Sequence, residues 1–266
     1  MSPAERSRRV STAFHPLVDA DERLLRRSAA LVWLLTATLV LTPTYRAEGL
    51  PWLARLGLGA WPMYLTCVAE LVLGVRVWLR PSGRALLWLQ VLTIAGFTVT
   101  LAALEPRLLA HPFGVLSKNV GIVGVLAAAH VVAAPGPRAT ARATLLLRAS
   151  LAVVWLWEGL GPKLLLVQAE ELRVLEHLGL GREHAMALVH LAGVGEVLLG
   201  LLTLTLHGRA LRGLLSVCLA LLLLLPALVT LSQPELWLHP FGPLTKNVVL
   251  IAATSVLWRR CSATSR

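Results

Sequence analysis

His111-Pro-Phe-Gly-Val-Leu-Ser-Lys-Asn-Val120 recurs 128 positions later as His239-Pro-Phe-Gly-Pro-Leu-Thr-Lys-Asn-Val248, with only Val115 changed to Pro243 and Ser117 to Thr245. Ten positions conserved this closely, in a chain built mostly of leucine, alanine and valine, mark an internal duplication. Shorter matches extend it outward. Ala30 to Trp33 pairs with Ala152 to Trp155, and Leu56 to Gly59 with Leu178 to Gly181; Glu70 and Gly74 pair with Glu196 and Gly200, and Gly83 to Leu86 with Gly208 to Leu211. The spacings drift only between 122 and 128 residues, and the drift falls in loops.

The chain is 56% hydrophobic and 15% charged, and its mean hydropathy is +0.72. Apolar runs of about twenty residues separated by short polar breaks are the pattern of membrane-crossing helices. The runs fall at 29–44, 60–78, 85–104 and 115–134, then at 145–166, 185–206, 210–231 and 243–258. The expected fold is therefore all-α and polytopic, with about eight transmembrane helices as two parallel four-helix repeats; the short first and last runs leave six or seven crossings open. The expected organisation is a basic arm (1–28), a first, degenerate repeat (29–134), a linker (135–143), a second repeat (144–258) and a tail (259–266). The linker region holds Pro135, Gly136 and Pro137, which interrupt a helix. The arm is long and charged, with no small-residue cleavage site after an apolar core, so an uncleaved anchor is expected.

The formal net charge is +11. With an even number of crossings, seventeen of the 25 basic residues collect on the side of the termini and eight on the other. The positive-inside rule then places both termini in the cytoplasm of a cell (inner or plasma) membrane protein. The basicity serves orientation and contact with the lipid bilayer; no aromatic-basic platform for nucleic acid is present. Cys67, Cys218 and Cys261 form no CxxC pair, so neither a thiolate metal site nor a disulfide relay is expected.

Only three of the basic residues are lysines, and all three belong to the less basic side. Lys118 and Lys246 occupy the duplicated stretch at the start of a helix, where positive charge opposes the helix macrodipole. Local helix energetics do not explain them; a carboxylate or an anionic ligand would. The second repeat also contains Trp155-Leu-Trp-Glu158-Gly-Leu-Gly-Pro-Lys163, where the first has Trp33-Leu-Leu-Thr36 and no lysine. The candidate polar cluster is therefore Glu158, Lys163, Glu196, His239, Lys246 and Asn247, opening to the outer face, with Glu70, His111, Lys118 and Asn119 as first-repeat counterparts. A charged carboxyl deep in a bilayer must be paired, hydrated or protonated. Such a cluster acts either as a clasp between helices or as a ligand site. His111 and His239 precede prolines and read as turn formers or interfacial donors. His130 and His190 have no partner in the other half, which argues against bis-histidine haem. Residues 168–183 read as a short amphipathic helix on the outer surface, with Leu172, Leu175 and Leu178 on one side.

The second-repeat motifs, from Trp155-Leu-Trp-Glu158 through Gly195-Glu-Val-Leu-Leu-Gly200 to His239-Pro-Phe-Gly-Pro-Leu-Thr-Lys-Asn247, resemble the DoxX-like family of four-helix membrane proteins over 144–258. A weaker copy covers 29–134. The resemblance implies four-helix bundles. The family includes quinone-linked oxidoreductase subunits, many members with no known activity, and some joined to nucleotide-sugar epimerase-like domains. This chain lacks the CxxC of redox members. Three functions stay open: an oxidoreductase subunit that binds a quinone and takes electrons from a soluble or membrane redox partner, a transporter of small molecules or lipids, and a non-catalytic scaffold. No other cofactor is identifiable.

Overall fold

The computed structural model describes the backbone of residues 3–80, 83–134 and 136–263, and side chains from residue 19 to 261 within those limits. The described residues are mainly helical, with no strand among them. The first half comprises α1 (Pro3–Leu39), α2 (Pro43–Arg55), α3 (Trp61–Leu79), α4 (Arg84–Leu104) and α5 (Ser117–Val132). The second comprises α6 (Pro137–Gly159), α7 (Ala169–His177), α8 (Arg182–Thr205), α9 (Gly208–Ser232) and α10 (Asn247–Ala263). Among the described residues, five helices are long and apolar enough to cross a membrane, and a bent pair, Asp19–Leu39 with Pro43–Arg55, makes a sixth if it counts as one span.

Several boundaries differ from the sequence expectation. The first run ends at Leu39, where the chain turns by 86° into α2. Pro43 opens α2, and the Thr42 hydroxyl caps it by accepting from the Tyr45 N–H. Segment 137–143, read as linker, forms the first turns of α6, because Pro137 at a helix start loses no hydrogen bond there. The two duplicated stretches stay outside regular helix until Ser117 and Asn247. The expected amphipathic helix is α7, shorter than anticipated because Gly179, with φ at +92°, ends it.

One continuous apolar core joins the halves, running through Trp33, Val125, Leu147, Leu151, Leu215 and Leu257. Helices α1, α5, α6 and α10 form its centre, with α5 against α6 and α1 against α10 crossing from one half to the other. Helices α3, α4, α8 and α9 pack outside them and turn apolar side chains such as Leu92, Val99, Leu191 and Leu223 outward, as lipid contact requires. The halves therefore share one body.

The end of the bundle away from the duplicated stretches is held by arginines. Arg26 donates to the Val77 and Trp78 carbonyls at 2.6 and 2.7 Å. Its counterpart Arg148 donates to the Thr203, Leu204 and Leu206 carbonyls at 2.9, 2.7 and 2.8 Å. Each guanidinium caps the C-terminus of an outer helix, where positive charge is worth about 0.3–1 kcal/mol. Arg259 and Arg260 close the same end by pairing with buried Asp21 at 2.8 and 2.9 Å.

Candidate functional site

At the opposite end the two duplicated stretches meet. In each, the Phe N–H donates to Nδ1 of the preceding histidine: Phe113 to His111 at 3.3 Å and Phe241 to His239 at 3.2 Å. Each glycine sits in left-handed backbone, Gly114 at φ +70° and Gly242 at φ +53°, and donates its N–H back to the histidine carbonyl at 3.0 Å. The histidine rings approach to 6.5 Å between centroids. Burial lowers both pKa values to about 4, aided by the Lys118 and Lys246 ammonium groups at His111 and by the His111 ring and Lys246 at His239. The rings are thus neutral at ordinary pH, as an accepting Nδ1 requires. The turn-forming role read from the sequence matches this geometry.

The lysines cross between the stretches. Lys118 donates to the Phe113 carbonyl of its own turn at 2.8 Å and to the Pro243 carbonyl of the other at 2.9 Å. Lys246 donates to the Val115 carbonyl at 2.6 Å. Val115 and Pro243 are equivalent positions, so the exchange is reciprocal. Directing each ammonium onto turn carbonyls, away from the helix N-terminus, offsets the macrodipole cost.

Two cavities flank this seam, lined by equivalent positions of the two halves. One, of about 350 Å³, is lined by Thr36, Gly49, Thr66, Glu70 and Asn119 of the first repeat. The other, of about 510 Å³, is lined by Glu158, Glu171, Ala192, Glu196 and Asn247, their counterparts in the second. Each also takes a proline, a phenylalanine and a lysine from the other repeat: Pro240, Phe241 and Lys246 in the first cavity, Pro112, Phe113 and Lys118 in the second.

The expected polar cluster is accordingly split. Glu158, Lys163, Glu196 and Asn247 share the larger cavity. Lys246 belongs to the smaller one with Glu70, and His239 lies at the seam. The second lysine of this cavity, beside Lys163, is Lys118, which the sequence assigned to the first-repeat set. Glu171 was also missed: it was read only as part of the amphipathic helix, yet α7 brings it over the cavity.

Lys163 organises the larger cavity. It lies 3.0 Å from Glu196 and 3.2 Å from Glu171, and donates to the Glu158 carbonyl at 3.3 Å. That carbonyl is free because the residue one turn on is Pro162, which has no N–H to return. The chain widens into a π-turn over Leu160–Leu165, which aims Lys163 inward. Close approach of α6 and α8 completes the geometry: a Cβ on Gly159 would lie 2.5 Å from the Gly193 carbonyl, and one on Gly193 2.8 Å from the Lys163 Cβ. The first repeat has Ala37 and Cys67 at those positions. Burial pushes the Glu171 carboxyl above its ordinary range, against the pull of Lys163.

Glu158 also accepts from the Ser117 hydroxyl across the seam. The larger cavity thus gathers three carboxyl groups and two ammonium groups under mostly apolar walls, with Trp155 and Phe113 among them. Asn247 Oδ1 is buried without a hydrogen-bond partner, whereas its counterpart Asn119 donates to Thr98 at 2.8 Å. Such a set can hold a polar head group by donated and accepted hydrogen bonds and can store a proton.

The sequence model of the DoxX-like family matches residues 30–127 and again 152–255. No curated protein and no solved structure matches the chain. The two matched segments cover more than half of the chain and follow the two halves of the fold, so the protein belongs to the DoxX-like family and carries its unit twice in tandem.

Proposed function

We propose that this DoxX-like chain is the membrane subunit of a quinone-linked oxidoreductase, with the larger, second-repeat cavity as the quinone head-group site. The observation that carries the reading is the cavity's composition: two ammonium groups, three carboxyl groups and an unpartnered Asn247 Oδ1 beneath apolar and aromatic walls. The residues fit such a group. Lys118 and Asn247 can donate to ring carbonyls, Trp155 and Phe113 offer aromatic surface, and the carboxyl in excess over the ammonium groups provides a place for a proton. When bound, a quinone supplies two-electron, two-proton redox chemistry. The electrons come from a partner protein, soluble or membrane-bound, since the chain's cysteines form no redox pair.

In this reading the chain makes eight crossings of the cell membrane as two parallel four-helix repeats, with both termini in the cytoplasm. The excess of arginine at the end held by Arg26, Arg148 and Arg260 supports that orientation. The transport alternative calls for a helix broken at mid-membrane, and α9 runs unbroken through Pro226.

The test is mass spectrometry of small molecules extracted from gently solubilised protein. A stoichiometric quinone should be present in wild type, lost in Lys118→Met and Ala192→Phe, and retained in Lys246→Met and Thr66→Phe. Wild type without quinone, or with phospholipid alone in the cavity, would overturn the redox reading and favour lipid binding.

A further inference from the structure

The smaller cavity occupies the same place in the first repeat as the proposed quinone site does in the second, but its chemistry is different. Thr36 stands where the second repeat has Glu158, Gly49 where it has Glu171, and Leu41 where it has Lys163. Thr36 donates to its own helix at the Val32 carbonyl, and Asn119 is committed to Thr98. Thr66 and Thr100 add hydroxyls to the lining; the buried carboxyl and ammonium groups are those of Glu70, 6% exposed, and Lys246, 9% exposed. They line the cavity together without forming an ion pair. Glu70 Oε2 is buried with no hydrogen-bond partner. Lys246 has three donors, and one is used on the Val115 carbonyl.

The walls diverge in the opposite sense. Tyr45, Trp52, Phe97 and Phe241 line the smaller cavity; the positions equivalent to the first three are Val167, Val174 and Leu222. Trp52 and Phe241 meet edge to face at 5.8 Å across the seam between repeats. The chamber is largely aromatic and aliphatic, and its lining includes one carboxyl oxygen without a hydrogen-bond partner and one ammonium group with donors to spare.

We infer that the first-repeat cavity is a second binding site, for a planar apolar molecule ending in a single hydroxyl, of the phenol class. One hydroxyl satisfies both groups: its O–H donates to Glu70 and its oxygen accepts from Lys246. Away from the threonines, a second polar substituent would meet aromatic and aliphatic wall and lose its hydration. The aromatic side chains supply edge and face contacts for the ring. The inference rests on the first-repeat cavity alone and is independent of what occupies the second.

Binding of para-hexylphenol and of its methyl ether, para-hexylanisole, to the full chain in lipid nanodiscs tests it, with empty nanodiscs as the background for partitioning. The ether keeps the apolar body and ring oxygen but cannot donate. Wild type should bind the phenol about tenfold or more tightly than the ether, the discrimination expected when a buried acceptor is left without its donated hydrogen bond. Glu70→Leu should reduce that preference to near unity, and Thr66→Phe, which fills the cavity, should abolish saturable binding. Ala192→Phe, which fills the other cavity, should leave both intact. Equal binding of phenol and ether by wild type would overturn the inference, as would a preference that survives Glu70→Leu. Loss of binding in Ala192→Phe with retention in Thr66→Phe would also overturn it, by placing the site in the second repeat.

Discussion

The two cavities share a frame and differ in cargo-bearing residues. Equivalent helices, equivalent turns and reciprocal lysines build both, yet one gathers three carboxyl groups around two ammonium groups and the other keeps one of each. The frame depends on glycines, prolines and backbone carbonyls, which duplicate readily with the fold. The polar load depends on a few side chains, Glu158, Lys163 and Glu171 against Thr36, Leu41 and Gly49, together with the close helix contact at Gly159 and Gly193, which are Ala37 and Cys67 in the first repeat.

The largest expected effect falls on Lys163, the cation with no first-repeat counterpart. Lys163→Met leaves Glu196 and Glu171 buried without their shared partner and should cost about 3–5 kcal/mol in reversible unfolding from mixed micelles. Adding Glu171→Gln and Glu196→Gln should recover much of the loss; no recovery would show that Lys163 matters through something other than charge. Next come the reciprocal lysines. Lys118→Met removes two turn contacts and Lys246→Met one, at about 1.5–3 kcal/mol per charged hydrogen bond. The same unfolding titration should rank Lys118→Met as the more damaging, and the reverse order would break the proposed asymmetry of the seam.

Gly193→Ala should cost about 1–3 kcal/mol, since its Cβ would press on the Lys163 Cβ at 2.8 Å. Cys67→Ala at the equivalent first-repeat position should cost less, because it adds no volume. The smallest effect, and the one expected to be alike in both halves, is pH dependence at the histidines. His111 and His239 fall from an ordinary pKa of 6.5 to about 4 in the folded protein. Above 6.5 neither state binds the proton; between 6.5 and 4 the unfolded chain binds it and the folded one does not. Stability should therefore decline as pH falls through that window and level off below it. Thermal melting of His111→Asn and His239→Asn should each remove a similar part of the slope, and a flat wild-type profile would remove the histidines from the account.

Much of the frame was legible in the sequence, because a repeat of ten positions fixes equivalences and apolar runs fix helices. Glu158, Lys163 and Glu196, grouped by comparing the repeats, line one cavity. The assignment of lysines to cavities was not legible. Sequence shows which repeat a residue belongs to, but not whether its side chain crosses the seam, and both Lys118 and Lys246 do. Helix α2 was hidden because the first apolar run was carried through Pro43 to residue 44 and the weakly apolar 45–59, with Pro51 inside it, fell between runs; Pro43 in fact starts α2 and only Pro51 is internal. Glu171 was hidden because it is one of two adjacent glutamates in a surface helix, and only the placement of α7 distinguishes it from half-exposed Glu170.

The crossed lysines also bear on ancestry. Contacts in which one copy's lysine meets the other copy's carbonyl, and the reverse, are those of a twofold homodimer, in which every mutation is written into both sites at once. Joining the copies in one chain removes that constraint. Each half keeps its neighbour's cavity complete by contributing one lysine and one phenylalanine, while its own cavity is free to drift, so a polar chamber and an aromatic one can be inherited together in a single protein.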